Sequence, residues 1–202
     1  MRIIAGTLKG RRLVTPKGAS LRPTSDRVKE SMFNILGAKV DGGVVLDLFA
    51  GTGNLGIEAL SRGARRVVFI ENSQEALGIV RRNLQECRMQ EQSEVLPKDV
   101  DRAIGQLQAK GERFDLIFMD PPYEKGLIKR TLNRLKTEKV YHNDSVLVVE
   151  HTRREPLPEL LGSWNLIRQR RIGDTVLSFL TPGTERDRFK EGEDMAEGPK
   201  GE

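Results

Sequence analysis

The chain has 202 residues and a net charge of +5, and 37% of its residues are hydrophobic, which fits one domain with a core of ordinary size. No run of about 18 apolar residues occurs and the N-terminus shows no secretory signal, so we expect a cytoplasmic protein that does not span a membrane. One cysteine, Cys87, excludes a disulfide framework, and two histidines are too few for a metal cluster.

The charge is concentrated at the N-terminal end. Residues 1–30 hold eight lysines and arginines against two acidic residues, whereas residues 183–202 hold four basic and seven acidic side chains. A basic face of this kind commonly contacts phosphate backbone, although it can also be a solvated surface. We therefore expect residues 1–40 to be a small basic extension of a domain that spans 1–182, and residues 183–202 to be an acidic disordered tail.

The extension is predicted to contain a hairpin and a helix. Residues 3–6 and 12–14 are β-like and predict a small hairpin, which a loop over residues 16–23 follows. A helix then begins near Ser25 and shows apolar residues at helical spacing, with Lys29 near its exposed edge. The basic residues expected to contact phosphates are Lys9, Arg11, Arg12, Arg22 and Arg27.

The stretch from Val44 to Gly56 carries the main chemical signal. A buried strand pattern leads into Gly51, Gly53 and Gly56, and an apolar helical pattern follows at once. Strand, G-x-G-x-x-G and helix form the dinucleotide-type fingerprint, whose glycines allow a tight turn, close approach of a ligand and close helix packing. Glu71 is the acidic residue that the fingerprint expects about 20 positions on, where it suits a ribose hydroxyl.

Asp47 separates the possible cofactors. It lies inside the first strand, four residues before Gly51, where a carboxylate would repel a pyrophosphate and would suit an ammonium or a sulfonium. The alternative is a buried aspartate that ties the loop to backbone amides, and the two roles are compatible. The stretch from Asp47 to Gly53 also resembles the first motif of class I S-adenosylmethionine-dependent methyltransferases, which implies that Phe49 belongs to the cofactor site.

Strands and helices alternate along the rest of the chain. Helical patterns separate the apolar runs, and Gly173-Asp174 is a strong hairpin signal between the last two strands. The further strands are predicted at residues 67–70, 95–96, 114–119, 146–149, 164–172 and 175–180. This pattern predicts an α/β doubly wound sheet, and antiparallel strands at its end suit the seven-stranded, Rossmann-like methyltransferase fold.

Acidic residues follow several of these strands, at the edge where open α/β sheets bind ligands. Asp47, Glu71, Asp99 and Asp120 all fall at or just after predicted strand ends and are expected to converge. Asp99 suits the amino group of an adenine, although capping of the helix that follows explains it equally well.

The segment Asp120-Pro121-Pro122-Tyr123 follows the fourth of these strands. Two prolines remove two backbone donors and hold the chain extended, which leaves the carboxylate and a proline carbonyl as rigid acceptors. Such acceptors orient the exocyclic amine of a flat base, and Tyr123 can stack on that base. A plain turn is the alternative. The signature resembles that of amino-methyltransferases that act on adenine, guanine or glutamine.

Further segments resemble the RsmD family of bacterial 16S rRNA guanine-N2 methyltransferases. They are residues 4–6, 9–11, 21–30, 33–34, 55–64 and 173–175. The resemblance runs from residue 2 to about residue 180. It implies methylation of one guanine amine of 16S rRNA, within the assembling small ribosomal subunit and with S-adenosyl-L-methionine as methyl donor. It also implies a base site at residues 120–123 and cofactor contacts from Asp47, Phe49, Gly51, Gly53, Glu71 and Asp99.

Three other interpretations stay open from the sequence. An NAD-dependent oxidoreductase would use the same glycine fingerprint but leaves Asp47 and residues 120–123 unexplained. A catalytically idle RNA-binding module would need only the basic face. An adenine-N6 DNA methyltransferase shares both motifs, and only the N-terminal resemblance and the lack of a separate target-recognition domain argue against it.

Overall fold

The computed structural model describes residues 1–16, 25–122, 126–159 and 161–183. The predictions for Arg22 and the loop around it, for Tyr123, and for the acidic tail beyond Gly183 concern residues outside these ranges. No helix within the described ranges is long and apolar enough to cross a membrane.

Helices and strands alternate as the sequence pattern predicts. The helices are α1 (Asp26–Leu36), α2 (Asn54–Ser61), α3 (Gln74–Cys87), α4 (Val100–Ala109) and α5 (Leu127–Thr137). The strands are β1 (Val44–Asp47), β2 (Arg66–Glu71), β3 (Ser93–Pro97), β4 (Phe114–Met119), β5 (Tyr141–Thr152), β6 (Trp164–Ile172) and β7 (Thr175–Pro182). A 3₁₀ turn over Gly37–Val40 connects α1 towards β1.

The described strands form one seven-stranded sheet in the order β3-β2-β1-β4-β5-β7-β6. Neighbours from β3 to β5 are parallel, whereas β7 is antiparallel to both β5 and β6. β1 and β4 are therefore neighbours at the point where the strand order reverses, which is where open α/β sheets bind ligands. The predicted doubly wound sheet with an antiparallel end is confirmed.

Two hydrophobic clusters cover the two faces of the sheet. One joins α1, α2 and α3 to side chains such as Phe118 of β4 and Phe179 of β7. The other joins α4 and α5 to side chains such as Leu46 of β1 and Leu147 of β5. Because β1 is buried along its whole length, its sequence is apolar on both faces, apart from Asp47 at its end.

The N-terminal hairpin is more irregular than two paired strands. A single antiparallel bridge joins Arg2 and Arg12, and the Ile3 N–H donates to the Arg11 carbonyl at 2.9 Å. The hairpin packs on the end of α2, where the Thr7 N–H donates to the Ser61 carbonyl at 2.7 Å. The basic extension is thus part of the same folded unit as the sheet.

Lys29 corrects one expectation for α1, since its side chain is fully buried instead of lying at the exposed edge. Its Nζ lies 3.2 Å from a Glu58 carboxylate oxygen and donates to Asn54 Oδ1 and to the Arg2 carbonyl, each at 2.7 Å. Lys29 stands one helical turn before the buried Phe33, so it shares the face that packs on α2. A partner carboxylate makes this burial tolerable.

Candidate active site

The glycine loop connects the carboxyl end of β1 to α2. Its start is held from both sides, because the Leu48 N–H donates to the Phe118 carbonyl at 3.0 Å and the Ala50 N–H donates to the Ile70 carbonyl at 2.9 Å. Gly51 has a φ of +54°, a left-handed conformation that glycine adopts without steric cost. This conformation is the tight turn that the sequence predicts at the first glycine.

The next two glycines are required by packing. A Cβ on Gly56 would lie 2.2 Å from Cε1 of Phe69, so α2 approaches β2 this closely only because the residue is glycine. This contact is the helix packing expected of the third glycine. A Cβ on Gly53 would lie 2.7 Å from Cγ2 of Val80. The space beside Gly53 is thus filled by α3, whereas the fingerprint associates this position with close approach of a ligand.

Asp47 is a buried carboxylate at the base of the glycine loop. It is 1% exposed, and one of its oxygens accepts the Gly56 N–H at 3.1 Å. Burial is the largest cause of a pKa of about 7 for Asp47; the charges of Asp120 and Glu71 contribute to the rise, and the Gly56 hydrogen bond opposes it. The predicted bond to the loop is present, and a cation placed here would relieve the repulsion among the three carboxylates.

Glu71 connects the end of β2 to the glycine loop. One carboxylate oxygen accepts the Gly51 N–H at 2.8 Å, and the other accepts the N–H groups of Asn72 and Ser73 at 2.9 and 2.7 Å. The side chain is half-buried, so it borders solvent while it holds the loop. Glu71 therefore has a structural role that the sequence pattern did not indicate, in addition to the ribose contact that we expect.

Asp99 is the N-cap of α4, and its carboxylate accepts the Arg102 N–H at 3.0 Å. The capping role that the sequence left open is thus present. Its side chain remains 43% exposed, so the carboxylate can also accept a hydrogen bond from a ligand in the neighbouring cleft.

A cleft of about 280 Å³ opens at the carboxyl edge of the sheet. Its walls combine apolar side chains, which suit a flat base, with carboxylates, which can accept hydrogen bonds from the hydroxyl groups of an adenosine. It is lined by Leu48, Phe49, Ile70, Glu71, Asn72, Lys98, Asp99, Val100, Asp101, Pro122, Leu127, Arg130 and Thr131. The structure thus brings together the predicted Phe49, Glu71, Asp99 and Pro122, whereas Asp47, Gly51, Gly53 and Asp120 are not part of this lining.

Asp120, Pro121 and Pro122 directly follow β4, the neighbour of β1. Asp120 is half-buried, Pro121 is buried, and Pro122 is exposed and borders the cleft. The influence of Asp120 on the pKa of Asp47 places the two carboxylates near each other across the switch point of the sheet. The predicted acceptors for an amine therefore stand beside the predicted cofactor cleft.

The basic side chains of the extension divide into two groups. Lys9, Arg11, Arg12 and Arg27 are all exposed. Arg27 lies in the first turn of α1, whose Lys29 contacts Asn54, the residue that follows the glycine loop. Arg11 donates to the carbonyl of Glu86 in the last turn of α3, about 18 Å along that helix from its start. Arg27 thus lies at the start of α1, whereas Arg11 lies at the end of α3.

Several cleft residues were not predicted from the sequence. Asp101 and Arg130 form an ion pair between the first turns of α4 and α5, at the outer wall of the cleft. Neither belongs to a motif, and their proximity depends on how α4 and α5 pack beside each other. Val100, another residue of the cleft, could have been anticipated because it directly follows the predicted Asp99.

Comparison with known proteins places the chain in a family. Residues 1–181 match the family model described as Conserved hypothetical protein 95. The Ribosomal RNA small subunit methyltransferase D of Haemophilus influenzae is 36% identical, with 86% of this chain and 89% of the relative covered. Its namesake from Escherichia coli K12 is 34% identical, with 87% of each chain covered. The chain belongs to the RsmD family. Its predicted membership is confirmed.

Solved structures share the fold of this RsmD-family chain. The hypothetical protein TTHA0928 of Thermus thermophilus is 28% identical, has a TM-score of 0.77 and is covered over 98% of its length by 89% of this chain. An RNA methyltransferase from Salinibacter ruber in complex with S-adenosyl-L-homocysteine is 20% identical, with a TM-score of 0.63 and coverage of 81% and 95%. The class I methyltransferase fold expected from the sequence is confirmed.

Proposed function

We propose that this RsmD-family chain methylates the exocyclic N2 amine of a guanine in 16S rRNA, within the assembling small ribosomal subunit. The observation that carries the proposal is the position of Asp120-Pro121-Pro122. This segment follows the strand next to the glycine loop and borders the cleft with Pro122. An amine acceptor and a cofactor site therefore adjoin at one edge of the sheet.

The cofactor is S-adenosyl-L-methionine, and the cleft suits its parts. Glu71 supports the ribose, and Asp99 and Val100 border the space for the adenine. Asp47, Asp120 and Glu71 are three acidic groups that repel one another beside the glycine loop, which favours a cationic neighbour over a pyrophosphate and argues against the NAD-dependent alternative. When bound, the cofactor supplies a methyl group activated by a sulfonium.

The chain's own contribution to transfer is mainly orientation. The amine nitrogen of guanine is a poor nucleophile because its lone pair is delocalised into the ring. A carboxylate at Asp120 and a carbonyl in the proline segment accept its two N–H groups, which directs the nitrogen toward the cleft. Such positioning is the largest demand when the leaving group is already good.

The nature of the substrate rests on the relatives and on charge. Several relatives carry the name Ribosomal RNA small subunit methyltransferase D, which supports rRNA methylation by this chain. The exposed basic side chains of the extension suit the phosphate backbone of such an RNA. Asp-Pro-Pro with an aromatic residue also occurs in adenine-N6 methyltransferases, so this motif does not distinguish guanine from adenine as the methylated base.

One experiment tests the base and the amine site together. The purified protein is incubated with methyl-labelled cofactor and with 16S rRNA from cells that lack the protein, both free and within small ribosomal subunits, and the rRNA nucleosides are separated by mass spectrometry. We expect N2-methylguanosine from the wild type and no product from Asp120→Ala, with S-adenosylhomocysteine affinity retained in the variant. N6-methyladenosine would replace the guanine assignment by the adenine one. Joint loss of cofactor affinity and activity in the variant would contradict the role of Asp120.

A further inference from the structure

β6 and the turn that follows β5 present a second basic surface, remote in sequence from the N-terminal extension. The C-terminal basic surface consists of Arg153, Arg154, Arg168, Arg170 and Arg171, all of which are exposed. Within the described ranges, none of these five side chains lies within 4.0 Å of a carboxylate. Because these five cations have no paired carboxylate among the described residues, we take them to be available to an external polyanion.

The register of the sheet places this surface level with the amine site. Met119 of β4 is paired with Val149, so Asp120 stands level with Glu150 on β5. Glu150 is paired with Leu177 on β7, and Leu177 is paired with Arg170 on β6. Asp120 and Arg170 are thus three strands apart on one line across the sheet, about 14 Å between backbones.

Arg168 and Arg170 share the face of the sheet that carries the N-terminal extension, whereas Arg171 points to the opposite face of β6. Arg168 and Arg170 stand opposite Phe179 and Leu177, and directly opposed residues point to the same face. Phe179 and Leu177 belong to the cluster that contains α1 and the N-terminal Ile3. The backbone N–H of Arg153 also donates to the carbonyl of Asp174, which joins the end of β5 to the β6–β7 turn. The surface therefore continues to the carboxyl edge of the sheet.

We infer that the C-terminal basic surface binds the RNA backbone beside the target nucleotide, an inference that rests on the proposed function. A base that reaches Asp120 must be flipped out of its RNA helix or loop. The RNA backbone must then be held on both sides of the flipped nucleotide. The extension and α1 supply one basic border of the site and β6 supplies the other. Charges on an edge strand also prevent pairing with other chains, but that role requires no alignment with the amine site.

The test compares two pairs of arginines. Arg168→Gln together with Arg170→Gln removes two cations of the surface and keeps much of the side-chain volume. The control is Arg65→Gln together with Arg81→Gln, which removes two exposed cations remote from β6. Binding of a 16S rRNA transcript is titrated at several salt concentrations, and S-adenosylhomocysteine affinity is measured by calorimetry. Thermal unfolding establishes that each variant is folded.

We expect the β6 pair to lower the slope of log affinity against log salt by about 1.4 to 1.8 and to weaken RNA binding about tenfold at physiological salt. The control should keep the wild-type slope, and cofactor affinity should stay unchanged in both. A β6 variant with the wild-type slope overturns the inference even if the wild type methylates rRNA. RNA binding that depends on β6, in a wild type that transfers no methyl group, supports the surface and contradicts the proposed function. Should the β6 pair unfold, Arg153→Gln with Arg154→Gln tests the same surface by the same slope.

Discussion

Lys29 and Glu58 form an ion pair at 3.2 Å in which both side chains are fully buried. Glu58 also accepts the N–H groups of Ile4 and Ala5 at 2.8 and 3.0 Å, and it pairs with Arg62 at 2.7 Å. Burial lowers the pKa of Lys29, and the charge of Glu58 opposes that shift. The pair thus fastens the N-terminal extension to the helix that follows the glycine loop.

Removal of the lysine should therefore destabilise the whole fold. Lys29→Met leaves Glu58 buried with one cation fewer, and we expect a loss of about 3 to 5 kcal/mol in the free energy of unfolding, measured with urea. Lys39→Met is the control, because Lys39 is exposed and should change stability by less than about 0.5 kcal/mol. In the double variant Lys29→Met, Glu58→Gln, the loss should be smaller than the sum of the single losses. Equal stability of the Lys29 and Lys39 variants would show that the pair contributes nothing.

The burial of Lys29 shows where prediction from sequence ended. Hydrophobic periodicity and the positions of glycines predicted the elements that depend on local sequence, such as the glycine loop at Gly51 and the β6–β7 turn at Gly173. The partner that makes a buried lysine tolerable is 29 positions away in Glu58, and no local pattern indicates it. The same reason explains Asp101 and Arg130, which meet only because α4 and α5 pack side by side.

The sequence predicted those site residues that lie at or just after the carboxyl ends of strands. Phe49, Glu71, Asp99 and Pro122 converge because parallel strands end at one edge, which is a property of the fold class. The bond of Glu71 to Gly51 was not predicted, because a motif gives the residue type at a position and not the direction of its side chain. Cofactor and base contacts stay predictions until they are tested.

Gly56 should tolerate no side chain. Gly56→Ala places a Cβ 2.2 Å from Cε1 of Phe69, and we expect a loss of about 1 to 3 kcal/mol in stability together with weaker cofactor binding, because α2 and its loop must move. Gly78→Ala is a matched change within a helix, where an added Cβ meets nothing within 4 Å. That control should be neutral or gain about 0.5 to 1 kcal/mol from helix propensity. Thermal unfolding and calorimetry measure both effects, and a Gly56 variant as stable as the control would contradict the packing argument.

Glu71 should contribute to cofactor affinity. Glu71→Ala removes the acceptor of the Gly51 N–H and the acceptor that we propose for the ribose hydroxyls, so we expect S-adenosylhomocysteine to bind about 10- to 100-fold more weakly by calorimetry. Glu71→Gln keeps one carbonyl acceptor and should lie between the alanine variant and the wild type. Glu75→Ala, an exposed change in the first turn of α3, is the control and should bind normally. An unchanged dissociation constant for Glu71→Ala would mean that Glu71 has only a structural role at the end of β2.

Cofactor binding should depend on pH through Asp47. Its folded pKa of about 7 is raised above its ordinary value, so its contribution to stability is full below about pH 4 and is lost as pH rises through 7. A cationic ligand favours the ionised carboxylate, so cofactor affinity should rise between pH 6 and 8, with proton release on binding. Calorimetry in two buffers of different ionisation enthalpy measures that release. Asp47→Asn should bind more weakly and without this pH dependence. If the wild-type affinity does not change between pH 6 and 8, Asp47 does not interact electrostatically with the cofactor.

The N-terminal basic residues should differ in effect according to the helix end beside which they lie. Arg12 lies beside Ser25 and Asp26 at the start of α1, near Arg27, whereas Lys9 and Arg11 are docked near the ends of α2 and α3. Each double variant, Arg12→Ala with Arg27→Ala and Lys9→Ala with Arg11→Ala, should lower the salt slope of 16S rRNA binding by about 1.4 to 1.8, because each removes two phosphate contacts that contribute about 0.7 to 0.9 apiece.

The first pair lies at the start of α1, whose Lys29 contacts Asn54 beside the glycine loop, so we expect that this variant alone also lowers kcat by losing its hold on the RNA next to the base. The second pair should raise KM for RNA and leave kcat unchanged, and both variants should bind S-adenosylhomocysteine normally. Steady-state kinetics with the same transcript separates the two effects. If both variants keep the wild-type salt slope, these arginines and Lys9 are solvated surface and the extension does not bind RNA through them. If the two pairs lower kcat equally, position relative to the cleft does not matter and the extension acts as one undivided surface.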